Sequence, residues 1–527
     1  MNDLITDLVI SLTTHLTTYL LIFITTAIIY FIFTQLTNRD TWENYGVKQV
    51  SMGRLALVDF KRASAALMEE HGDTVGITRG EMTLITRDLE LLRHVMVKDF
   101  NNFVDRMVVM TTNTPIEDSL FFSNGQDWRR MRHLSSPSFS TGKLKYVARN
   151  IESSAQKLAN ILEDCAGKDV LVPIKHITGQ YTSEIIASSA FGVQTDCLGK
   201  EDDEFTHHAK SIIKIRSKAM NMLILVMFRF KWLHRFLVKK LKISFLDQMS
   251  GDAYNYFNAI IHTAVAQRLE MEQQGLERPK DFLQSMIVAK TKGDEEAAHY
   301  TSDSQEASWE QLPKTMTDRE LIGQSMLVIF AGFETTATTL QMCLFLLAQH
   351  ADIQEKVYKE IQKVVSSESP TYEELGQLKY TEQVINETLR HYPPAAIITR
   401  RAEATYHYGS ITIPKGAGIL IPIETIMMDP RNYPDPTKFD PDRFSDENKV
   451  KRDPLTFLPF GYGPRHCIGM RLAYLELKVG LVHVLRKVKF ELNDRTEPRK
   501  GEKLVTRFQG IIVIDKPIQL QAKLRNE

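Results

Sequence analysis

A single cysteine set between glycines, at the mouth of a helix, constrains this chain more than any other feature. Residues 460–471 read FGYGPRHCIGMR, and an unbroken helical pattern runs on from Met470 to Lys487. A thiolate at Cys467 would face the first free N–H groups and the positive end of that helix, both of which favour the anion. Gly461, Gly463 and Gly469 let the backbone turn tightly and approach a flat ligand, and Arg465 offers a planar fork to a carboxylate. Taken alone, Cys467 reads first as an inert cysteine in a glycine-rich turn. A nucleotide loop is excluded, because no third glycine completes G-x-G-x-x-G.

The chain has 527 residues, enough for a large core, and no Gly/Ser-rich or Pro-rich linker divides its body. We therefore expect a membrane anchor over 1–36 and one large domain over 37–527. Residues 8–36 are apolar, with no charge between Asp7 and Arg39, and roughly twenty such residues span a bilayer as a helix. Asp3 and Asp7 before this run argue against a cleaved signal peptide, and Arg39 and Lys48 after it favour a cytosolic body. Lys plus Arg and Asp plus Glu both number 65, and no basic stripe points to nucleic acid. Four cysteines without C-x-x-C spacing fit a reducing compartment.

Further patterns follow in chain order. Residues 74–86, with Arg79-Gly80 at the centre, predict a β-hairpin, and Asp88 predicts a helix cap. Trp128 and Arg132 stand at i and i+4 on one helix face, where both reach one carboxylate. Residues 221–245 are apolar and basic, suited to a membrane interface or to core packing, and residues 292–314 predict a polar surface connection. Thr317 and Glu320 form a capping box that opens a long apolar helix to about His350. Its length could pass for a membrane span, but Glu334 at its centre would cost at least a few kcal/mol in mid-bilayer, and a helix through a large core fits better. Within it, Glu334 and Thr335 put an acid and a hydroxyl where an apolar core wants neither. Glu387 and Arg390 make an i, i+3 pair before Pro393-Pro394 ends their helix.

A haem suits the cysteine turn, since its iron takes the sulfur and its propionates need cations. Phe460, Gly463, Arg465, Cys467 and Gly469 match F-x-x-G-x-R-x-C-x-G, and on these residues the chain resembles the cytochrome P450 family. Gly332, Glu334 and Thr335 are similar to the family's (A/G)-G-x-(D/E)-T, Trp128 and Arg132 to its W-x-x-x-R, and Glu387 and Arg390 to its E-x-x-R. The resemblance spans about residues 70–520 and looks nearest to the group holding subfamily 3A, thromboxane synthase and invertebrate relatives.

What the resemblance implies is a mainly α fold with a smaller β-rich part, anchored in the endoplasmic reticulum membrane with its catalytic domain cytosolic. It implies heme b with iron on Cys467, and propionates held by Trp128, Arg132, Arg400, Arg465 and Arg106. Thr335 and Glu334 would guide protons, and Glu387, Arg390 and Arg443 would form a structural network. Electrons would come from an NADPH-dependent reductase, with cytochrome b5 a second donor, docking where Arg129, Arg130, Lys143, Lys145 and Arg471 gather. The expected reaction is monooxygenation of a lipophilic substrate, in a pocket drawn from residues 107–122, Phe330, Ala331 and 395–398. The alternatives are a haem-thiolate isomerase of a lipid peroxide and a non-catalytic haem sensor. Two departures stand out: no proline precedes Pro115, so the family's proline-rich hinge is missing, and Met427-Met428-Asp429-Pro430 replaces a His-containing stretch, which predicts altered local packing.

Overall fold

A computed structural model describes residues 18–19, 25–26, 41–50, 60–78, 81–107, 114–200, 203–211, 251–291, 315–502, 504–508, 511–514 and 516–525. The expected anchor over 1–36 lies almost wholly outside the described residues. The segments 221–245 and 292–314 and the part of the expected pocket at 108–113 lie outside them too.

Six helices position the site, and we number them in chain order. They are α1 (Gly125–Ser135), α2 (Thr141–Gly167), α3 (Ile174–Phe191), α4 (Asp318–Gln349), α5 (Lys379–His391) and α6 (Met470–Lys487). The longest, α4, begins as its sequence predicts. The Thr317 side chain accepts from the backbone N–H of Glu320, and the Glu320 carboxylate accepts from that of Thr317 at 2.8 Å, so two of the first turn's free donors are satisfied. Among the described residues α4 is the helix long and apolar enough to cross a membrane. Residues 336–348 of α4 are buried without a break, which makes it the axis of the core.

Around that axis Leu340, Phe345 and Leu347 of α4 meet Leu158 and Leu162 of α2, Ile177 and Ile185 of α3, and Leu477, Leu481 and Val484 of α6 in one apolar cluster. Each such side chain contributes about 1.5–3 kcal/mol on burial. Tyr181 of α3 donates to the carbonyl of Glu476 at 2.9 Å, which fixes α6 against α3.

The β-rich part is small. β1 (Thr74–Thr78) and β2 (Met82–Thr86) form the expected hairpin, with Val75 opposite Ile85. β3 (Ile397–Arg401) and β4 (Gly418–Pro422) complete a four-stranded sheet in the order β1-β2-β4-β3. β2 runs parallel to β4, and β3 pairs antiparallel to it with Arg400 opposite Ile419. Asp88 caps the next helix by accepting from the N–H groups of Glu90 and Leu91. A second sheet joins Leu171–Pro173, Gln519–Leu524 and Val488–Glu491, tying the chain's last strand to the end of α6.

Candidate active site

The loop before α6 is built by glycines that no other residue replaces. Gly461 and Gly463 both sit at φ +70°, a conformation that L side chains rarely adopt, and a methyl group on Gly463 would overlap the carbonyl oxygen of Met96. The N–H of Cys467 donates to the carbonyl of Phe460 at 2.8 Å, closing the loop. The ring of Phe460 leans on Tyr474 at 5.3 Å. Of the four cysteines Cys467 is the accessible one, whereas Cys197 and Cys343 are buried and burial pushes their thiols up to about 12.

Four segments bring cations toward this sulfur. Arg106 precedes a loop, Arg132 comes from α1, Arg400 from β3 and Arg465 from the cysteine loop itself, with Trp128 of α1 beneath Arg465 at 4.5 Å. Burial and mutual repulsion lower Arg465 to about 8 and Arg400 to about 9, and burial, with repulsion from Arg132, lowers Arg106 to about 10. The Nε of Arg400 and the Nε and Nη1 of Arg465 are buried without a hydrogen-bond partner. Such groups are costly unless an acceptor meets them. Asp105 offsets Arg465 in part, but its carboxylate accepts from the N–H of Gly125.

Within the protein these side chains also have partners of their own. Arg132 donates to the carbonyl of His466 at 3.0 Å, and Arg465 to the carbonyl of Ser123 at 2.7 Å. Arg106 stacks on Phe121 at 4.3 Å. Cys467 is exposed by surface area yet closely surrounded by protein atoms: the expected anion-favouring groups are present, namely the N–H of Gly469 and the charges of Arg132 and Arg106, but desolvation by those surroundings outweighs them and raises the thiol. The helix N-terminus alone therefore does not make a thiolate, and a metal ion, which deprotonates a coordinating thiol outright, would.

Glu334 and Thr335 diverge. The hydroxyl of Thr335 donates to the carbonyl of Ala331 at 2.7 Å. The Glu334 carboxylate instead pairs with Lys175 of α3 at 3.3 Å, beside a small cavity lined by Lys175, Lys210, Thr338 and Gln341. Neither lysine was foreseen, because both lie more than a hundred residues away in sequence.

The Glu387 network forms at the heart of the body. Arg390 grips both carboxylate oxygens, at 2.7 and 2.8 Å, with both side chains fully buried. Burial pushes the Glu387 carboxyl up, but hydrogen bonds from Arg390 and His391 and their charges pull it below the ordinary range. Arg443 stands farther off, 3.5 Å from Glu387. His391 and the N–H of Asp440 complete the shell, at 3.4 and 2.9 Å, and neither was expected. At the departure over 427–430, the carbonyl of Met427 and the sulfur of Met428 both lie against Arg390 Nη1.

One expectation about the docking face is corrected. Arg130 turns inward from α1, buried, to Glu320 and the carbonyl of Thr315, so it locks α1 to the start of α4. Its neighbours stay outside: Arg129 meets Asn101, Lys145 meets Glu373, and Arg471 meets Thr141 and Tyr372.

A lone accessible sulfur at a helix start, under converging arginines with partnerless buried N–H groups, is the donor set of a haem-thiolate enzyme, and these residues fit that group. Comparison with known proteins is specific: the cytochrome P450 family model matches residues 52–522. Similar proteins include Cytochrome P450 3A41 of Mus musculus, 32% identical over 87% of this chain and 86% of its own. Cytochrome P450 3A56 of Fundulus heteroclitus is 32% identical over 86% of each, and Cytochrome P450 3A7 of Homo sapiens is 32% identical over 84% and 83%. The chain belongs to the cytochrome P450 family and is a monooxygenase of that family.

Proposed function

We propose that this enzyme inserts one oxygen atom from O2 into a lipophilic substrate, a xenobiotic, steroid or fatty acid, with electrons from an NADPH-dependent reductase and cytochrome b5 as a second donor. The observation that carries the reading is Cys467 together with Arg106, Arg132, Arg400 and Arg465. One side supplies a sulfur ligand, and the other supplies cations whose repulsion two propionates would relieve. When bound, the haem supplies the iron chemistry that activates O2. Cys467 would hold its iron, Gly463 and Gly469 would let the backbone come close, and Trp128 backs Arg465. Phe460 anchors the loop.

Thr335 keeps its hydroxyl on the Ala331 carbonyl, which leaves the oxygen's lone pairs free to accept from a water or substrate beside it. Glu334, paired with Lys175, faces the polar cavity, a position from which a carboxyl exchanges protons with solvent and passes them inward. The apolar body with Phe330 and residues 395–398 near the site supports a lipophilic substrate. The 3A-like relatives and the apolar run at 8–36 support an endoplasmic reticulum anchor with the catalytic domain in the cytosol.

Carbon monoxide difference spectroscopy tests the reading. Wild-type protein reduced by a reductase and NADPH should give the red-shifted Soret band of a thiolate haem, and Cys467→His should lose that band while retaining haem. Survival of the band in the variant would remove Cys467 as ligand.

A further inference from the structure

We propose that Arg319 is a positioning residue that clasps residues 114–124 onto α4 and so sets which sizes of substrate enter; the substrate part rests on the function proposed above. The segment is fastened at two ends by different chemistry. At one end the guanidinium of Arg319, in the first turn of α4, donates to the carbonyl of Thr114 at 3.1 Å, to Glu117 at 3.0 Å and to Asp118. One turn on, a methyl group at Gly323 would overlap the carbonyl oxygen of Pro115, so segment and helix touch backbone to backbone. Gln324 then accepts from the N–H of Leu120 at 3.3 Å.

The other end belongs to the haem-facing arginines. Arg465 donates to the carbonyl of Ser123 at 2.7 Å and to Asn124 at 3.3 Å. Asn124 in turn accepts from the N–H of Arg106 at 3.0 Å, and the guanidinium of Arg106 lies over Phe121. The segment is thus a strap from the N-terminal end of α4 to the arginine cluster.

Helix geometry says what lies under it. Gln324, Ala331 and Thr335 stand seven and eleven residues apart, and at 3.6 residues per turn they share one face of α4. The strap therefore covers the start of the same face that carries Thr335, about 16 Å along the axis. Its two fastenings are unequal. The side chains of Arg319 and Asp118 are 47% and 36% exposed, and ion pairs of that kind hold weakly and are screened by salt. Arg465 is buried. The strap consequently yields first at 114–118, where Arg319 holds it, while the Gln324 contact at Leu120 and the Arg465 contacts at 123–124 resist.

The test uses the full-length haem protein, Arg319→Ala, Arg319→Lys and, should Arg319→Ala fold poorly, Asp118→Asn. Backbone hydrogen exchange over 114–118 should quicken about fivefold to tenfold in Arg319→Ala, the scale that a half-exposed charge cluster supports. Stopped-flow spectra should show 1-tritylimidazole entering faster by a similar factor while imidazole entry changes less than about twofold, and Arg319→Lys should recover part of the difference. Raising salt should reproduce the effect in wild type and add little in Arg319→Ala. Unchanged exchange over 114–118, or equal acceleration of both azoles, would overturn the clasp. If neither azole shifts the wild-type spectrum, the proposed function fails, and hydrogen exchange still decides the clasp by itself.

Discussion

Glu476 puts a carboxyl group on α6 inside the core, 3% exposed, and burial lifts it to about 8 although the Thr336 hydroxyl hydrogen-bonds to it. A carboxyl whose folded pKa lies above its unfolded one binds its proton more tightly in the native state. Its stabilising contribution is therefore complete below about pH 4.5 and is lost as pH rises toward 8, at up to roughly 1.4 kcal/mol per unit. Glu476→Gln keeps a hydrogen-bonding group and removes the titration. We expect wild type and variant to melt alike near pH 4.5 and the variant to be the more stable at pH 8; parallel melting curves across that range would refute a buried neutral acid. At this scale the sequence revealed chemistry where residue types were unusual for their surroundings, as at Cys467 and the acid-hydroxyl pair. It did not reveal Glu476, whose burial depends on α3 and α4 closing over it, nor the inward turn of Arg130 in a run of bases that reads as solvated.

Between elements, the Glu387 network joins α5 to the loop that carries Asp440 and Arg443. Because Glu387 and Arg390 are fully buried, removing one strands the other's charge at a cost of about 3–5 kcal/mol. Arg443, at 3.5 Å and partly open to solvent, resembles a weaker pair worth about 1 kcal/mol or less. Expression trials with haem-to-protein ratios should therefore rank the variants: Glu387→Ala and Arg390→Ala without stable haem-loaded protein, Arg443→Ala recovered with haem but melting earlier. Equal recovery of all three would dissolve the network as a structural core. Helix limits were legible here because caps and prolines act locally: Thr317 starts α4, Asp88 starts the helix after β2, and α6 runs from Met470 to Lys487 as its periodicity predicts. The β2-β4 parallel pairing was not legible, since it joins strands more than three hundred residues apart.

For the whole molecule the question is what residues 1–36 contribute. Among the described residues the core clusters draw on Trp42 onward, and the matched family region begins at residue 52; on this ground we propose that the body folds without the apolar run. That run is long enough to span a bilayer and carries no charge between Asp7 and Arg39, a composition with no use inside a core already filled by α4. We predict that deleting residues 1–36 leaves a folded, haem-loading protein and abolishes carbonate-resistant membrane binding. We further predict that the segment 221–245, apolar and basic in sequence, gives a second, weaker contact of the interfacial kind, which salt or high pH strips where a spanning helix stays. Fractionation separates the two contributions: full-length protein should remain in the carbonate-washed pellet, and the truncated form should pellet at low salt but be released by carbonate. In sealed microsomes an added protease should digest the body, because Arg39 and Lys48 follow the run and basic residues favour the cytosolic side. Protection of the body would reverse the topology, and a truncated protein that resists carbonate would move the anchor elsewhere in the chain.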